Sequence, residues 1–136
     1  MSNISQTHTD AAKAIRARVL AVAGVPAFLP NETQEKPASF ILVTPSFDRG
    51  TITGFSNRGI KEKSHGSIRL EIAVPKYAGL GATTTIIDRL EPAFTCAIDG
   101  DLRYLETDTD YTGEYTETHF VTPFFVYFSW IRHKGV

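Results

Sequence analysis

The side chains best able to hold a metal are His8, His65, His119 and His133, and they stand far apart in unrelated contexts. Two helical zinc ligands need a four-residue spacing on one face, and no pair of these histidines has it, so each reads as a surface or loop residue. Seven acids, Asp99, Asp101, Glu106, Asp108, Asp110, Glu114 and Glu117, crowd into one segment with only Arg103 against them. Glu106, Asp108, Asp110 and Glu117 match the first, third, fifth and twelfth positions of a calcium loop. Tyr111 takes the sixth position, however, where the turn demands glycine, and no helices flank the segment. Three readings stand: a solvated acidic loop, favoured because blocks of like charge repel; a calcium or magnesium site; or an acidic surface, with Asp99, Asp101, Asp108 and Asp110 at its centre, facing a passage through which DNA slides without sticking.

No nucleophile declares itself. There is no Gly-x-Ser-x-Gly elbow, Gly50 to Gly54 forms no phosphate loop, and Cys96, the one cysteine, has no activating base near it in sequence. The turn Tyr77-Ala-Gly79-Leu-Gly81 precedes a helix pattern but lacks the lysine of a Walker loop and the third glycine of a dinucleotide fingerprint. No catalytic, cofactor-binding or metal-ligating residue is assigned, and the chain reads as a non-enzyme needing no cofactor.

The segment from Asp48 to Lys63 has the opposite bias, with Arg49, Arg58, Lys61 and Lys63 against Asp48 and Glu62. Basic and acidic segments can meet across a subunit boundary, and such separated complementary patches generate head-to-tail rings. On charge grouping alone a merely exposed, flexible loop explains the segment equally well.

Two helices and several strands must carry these groups. Ala12, Ile15, Val19 and Val22 recur at helical spacing over Ala11 to Val22, opened by Thr9 or Asp10 as N-cap and closed by Gly24 and Pro26. Phe28 to Ser39 reads as a loop, and Phe40 to Val43 as a short strand stopped by Pro45. Thr44 to Gly66, with Gly50, Gly54, Gly59 and Gly66 among few large apolar residues, reads as a long loop or loose hairpin. Ser67 to Val74 alternates strictly and is the clearest strand. A second helix, capped by Thr83 or Thr84, carries the stripe Ile86, Ile87, Leu90 and Phe94, with Pro92 kinking or ending it early. Thr95 to Ile98 and Leu102 to Glu106 flank the turn dipeptide Asp99-Gly100. The aromatic run from Thr118 to Ile131 is a final strand that Pro123 bends or places partly at an edge. The sum is a single α+β domain in which a mainly antiparallel β-sheet is packed by two α-helices.

Composition fits one domain. The chain has 136 residues, 42% hydrophobic and 21% charged, and a net charge of −1, without the basic excess that non-specific nucleic-acid binding needs. Cys96 can form no internal disulfide, which fits a reducing compartment. Met1 to Asp10 has no signal-peptide character, and Pro123 and Ser129 interrupt the longest apolar run, so no membrane contact is expected.

In order and spacing these pieces resemble the tail terminator, or tail-completion, proteins of long-tailed phages and prophages. The resemblance rests on the helix Ala11 to Val22, on Phe28-Leu-Pro-Asn-Glu32, on Gly66 to Pro75, on Gly79-Leu-Gly81 leading into Thr83 to Phe94, and on the closing strand Pro123 to Trp130. It implies a homohexameric ring at the head-proximal end of the virion's tail. Such a ring is assembled in the host cytoplasm, binds the tail tube protein and stops its polymerisation, offers its other face to the head-tail connector protein, and lets DNA pass without specific binding. Further readings are a head-to-tail connector or stopper, a small ligand-binding or hydrolase domain, and a monomeric cytosolic adaptor that adds a peptide strand to the edge offered by the bent final strand.

Overall fold

The computed structural model describes residues 7–30, 37–48, 50–56 and 59–134. Among them run α1 (His8–Ala23), β1 (Ala27–Phe28), β2 (Phe40–Phe47), β3 (Thr51–Ser56), β4 (Gly59–Pro75), α2 (Leu80–Phe94), β5 (Ile98–Asp99), β6 (Leu102–Thr109), β7 (Glu114–Tyr115) and β8 (His119–Lys134). The strands form one sheet in the order β1, β2, β4, β8, β6, β5, with β3 also on β4 and β7 on β8. Every pairing is antiparallel except β1 with β2.

The α+β expectation is met, but the sheet is larger than two helices can cover. β4 and β8 pair continuously from Ile60↔Lys134 to Pro75↔His119, and alternation places Ile68, Leu70, Ile72, Val74, Phe124, Val126, Phe128 and Trp130 on one face. That face carries the helices and the core, filled from the helices by Ala11, Ile15, Val19, Ile87, Leu90 and Phe94. The opposite face exposes Lys63, His65, Arg69 and Tyr127, although Ala73, Pro123 and Ser129 on it are buried.

The helices are tied to one another by reciprocal arginines. Arg18 Nε of α1 donates to Ala93 O at 2.7 Å, and Arg89 Nη1 of α2 donates to Ala23 O at 3.3 Å. Each cation thus satisfies a carbonyl at the other helix's C-terminus, where the helix dipole favours positive charge. The Arg18 guanidinium also lies 5.2 Å from the Tyr104 ring centre and 5.8 Å from that of Phe94.

Several boundaries depart from expectation for identifiable reasons. α1 starts earlier than its apolar stripe, because Thr7 Oγ1 accepts from Asp10 N at 3.0 Å and so caps the helix two residues before Thr9 and three before Asp10. α2 likewise starts at Leu80, before Thr83 and Thr84. Thr84 and Thr85 direct their hydroxyls back to Leu80 and Gly81 carbonyls inside the helix, and Thr83 is buried. Pro92 falls in the last turn, so α2 runs on to Phe94.

β2 passes through Pro45. Ile41 N bonds Pro26 O on the outer side of β2, and two-residue alternation turns the Pro45 nitrogen to that same side, beyond the end of β1, where no donor is needed. Pro123 is buried in a central strand by the same logic. Its carbonyl accepts from Asp110 N, so its ring nitrogen faces the gap between the end of β6 and β7.

Candidate assembly surface

The segment from Thr44 to Gly66, expected as a long loop or loose hairpin, is mostly strand. β2 and β3 follow one another along the same side of β4, from Phe40↔Ala73 to Phe47↔Gly66 and on from Thr51↔Lys63 to Ser56↔Gly59. Asp48 N to His65 O carries the ladder between them, and a bulge separates Ile52 from Gly54. β3, the N-terminal part of β4 and the C-terminal end of β8 make a three-stranded arm. Its ladder continues past His8, whose ring at the start of α1 rests 4.7 Å from Phe47 and 5.2 Å from Trp130.

At the root of the arm Arg132 Nη2 reaches Glu62 Oε1 at 2.9 Å, both side chains being 14% exposed. The Arg132 guanidinium stacks 4.6 Å from the Trp130 ring centre. A Cβ at Gly50 would overlap the Glu62 side chain, so glycine is what lets the chain cross over the pair. The arm is therefore keyed to the core rather than a loop.

Lys61 and Lys63 occupy the outer face of the arm, exposed, opposite His133 and Ile131 on β8. Arg49 and Arg58 lie outside the described residues. The four aspartates are not one patch. Asp99 and Asp101 flank the β5–β6 turn at the arm end, where Asp101 O accepts from Ile131 N. Asp108 and Asp110 lie at the other end of β6, level with Phe125 and Pro123. Lys63 is level with Ile131 and Asp108 with Phe125, so along β8 they are separated by about 20 Å at 3.3 Å per residue.

Around the acidic end, Arg69 pairs with Glu71 at 3.0 Å and lies 5.9 Å from the Phe125 ring centre. Asp110 accepts hydrogen bonds from Thr112 Oγ1 and Thr112 N, which hold its carboxyl below the usual range. These groups line a shallow trough with Glu114, Thr116 and Val121. Glu106 and Asp108 belong to strand β6 and not to a calcium-type loop. Among the described residues no three His, Cys, Asp or Glu side chains come together as metal ligands.

A second depression, about 380 Å³, sits at the end of the sheet away from the arm, lined by Val74, Tyr77, Leu80, Tyr115 and Phe120. Its lining side chains are apolar apart from the tyrosine hydroxyls. Tyr104, whose phenol burial pushes well above its ordinary range, lines neither depression. His119 is held by Thr118 Oγ1 and Ala38 O, away from the other histidines.

The fold is a known one. A solved structure whose name carries no functional description superposes with a TM-score of 0.65 at 12% identity, over 94% of this chain and 96% of that one. At that identity the likeness speaks for architecture alone. No protein-family model matches the chain, and comparison with curated proteins gives no significant match. None of the described helices is long and apolar enough to cross a membrane.

The charge bias of the two segments is legible in the sequence, but the arm that carries Lys61 and Lys63 is not. The signal available was the β-branched and apolar set Ile52, Ile60 and Ile131 around Gly54-Phe55-Ser56-Asn57, a hairpin pattern diluted by the charges between them.

Proposed function

We propose that the chain is a structural subunit of a homohexameric ring that caps the tail tube of a phage particle, ending tube growth and presenting its other face to the head-connecting protein. What supports this reading is the placement of charge on the outer sheet face. Lys61 and Lys63 stand at one end and Asp108 and Asp110 at the other, too far apart to neutralise each other within one protomer. A surface of this kind is complementary to a second copy placed head to tail, and such contacts close into rings when the rotation allows. Shape and packing do the work, with no bond made or broken.

Asp108 and Asp110 then face the basic arm of the next copy, while Asp99 and Asp101 are left for the lumen or the joining protein. An acidic lumen wall lets a DNA duplex slide without sticking. The direct test is to add the protein to polymerising tail tube protein and measure tube lengths by electron microscopy. Capping shortens the tubes and leaves a ring of density at one end. Unchanged lengths with bare ends would sink the proposal, and a ring bound only to the connector side would favour the stopper reading.

A further inference from the structure

We propose that β3 is the strand through which one copy continues its sheet into the next, its open side pairing with the Glu106–Thr109 half of β6 in a second copy. This rests on the ring reading above and names its contact. The sheet has few sides on which a strand could be added. β1 and β5 are two residues each, and β2 carries Pro45 on its outer side. β3 differs from all of these. It runs six residues, Thr-Ile-Thr-Gly-Phe-Ser, without charge or proline, Ile52 is half exposed, and among the described residues no strand lies on its other side. Sheet edges that must stay single are normally short, charged, bulged or interrupted by proline, and of these guards β3 has only the bulge between Ile52 and Gly54.

The occupant follows from charge and from symmetry. On the outer face Thr51 pairs with Lys63 and Gly54 with Lys61, so the backbone of a strand added to β3 would lie about 10 Å, two strand spacings, from that of Lys61 and Lys63. Two extended side chains span that gap. Among the described residues β6 beyond β5 has an open edge, bearing exposed Glu106 and Asp108, the latter on the outer face level with Phe125. β3 and β6 lie on opposite sides of the sheet, so their pairing is heterologous and propagates around a ring. Pairing β3 with β3 would stop at a dimer and bring four lysines onto one face.

The test uses the full chain, measuring mass by light scattering and amide hydrogen exchange by mass spectrometry. Assembly is expected to slow exchange in Thr51–Ser56 by at least about tenfold, as for amides entering a stable ladder. Lys61→Glu with Lys63→Glu should keep the protein folded but monomeric, and so should Glu106→Lys with Asp108→Lys. The four changes in one chain should restore the ring. A ring whose β3 amides exchange as fast as in the monomer overturns this contact while leaving the ring reading intact. A dimer with protected β3 overturns it too, as does β3 protection by tube protein while the mass shows only one copy bound per tube end. A chain that never assembles removes both readings.

Discussion

Glu62 and Arg132 meet at 2.9 Å across β4 and β8, at the point where the helical layer stops and the arm begins. One is nearly covered by Gly50 and the other by Trp130, so removing either leaves its partner with a poorly solvated charge. Glu62→Ala is expected to cost about 1–3 kcal/mol in urea denaturation. It should also speed amide exchange in β3, while exchange in α2 keeps its wild-type order.

Gly66 lies between Phe47 on β2 and Phe128 on β8, whose rings are 5.8 Å apart, edge to face. A Cβ there would collide with both the Phe128 ring and the Ser46 carbonyl. Gly66→Ala should therefore destabilise the fold by about 1–3 kcal/mol, an overpacking cost that Phe128→Leu in the same chain relieves in part. Thermal unfolding of the single and double variants reads this directly.

Arg18→Met keeps the unbranched apolar stem but removes the guanidinium, losing the bond to Ala93 O and the stacking on Tyr104 and Phe94. A loss of about 1–2 kcal/mol is expected by chemical denaturation, since a part-buried carbonyl at the helix end loses its donor.

Burial first, then the neighbouring Asp99 carboxylate, raises the Tyr104 pKa above its ordinary 10.0. The folded state thus holds this proton to higher pH than the unfolded chain does. Its contribution to stability is fully present below pH about 10 and is lost as pH climbs from there toward the folded value. Above pH 10 stability should fall by up to about 1.4 kcal/mol per pH unit from this one group, and Tyr104→Phe should flatten that alkaline slope.

The strands of the core were legible because burial writes itself into alternation: Ile68, Leu70, Ile72 and Val74 face helices while Arg69 and Glu71 face water. The arm was not, because no helix covers it and nothing forces Lys61, Glu62 and Lys63 to alternate with apolar residues. Its strand character comes from neighbours in the ladder, which no local window contains. Proline misled for a related reason. Whether Pro45 ends a strand depends on which side its missing donor faces, and that is decided by where β1 lies, a fact of topology. The charge groups could be read from the chain, yet only the length of β6 shows that Asp99 and Asp108 serve different ends of the molecule.

The assembly claim can be put to a single instrument. Light scattering on the purified chain, alone and with tail tubes, is predicted to give the mass of a closed ring, about six times the 15.0 kDa protomer, either in free solution or on tube ends. A mass that stays at one protomer at high concentration and in the presence of tubes would contradict the account.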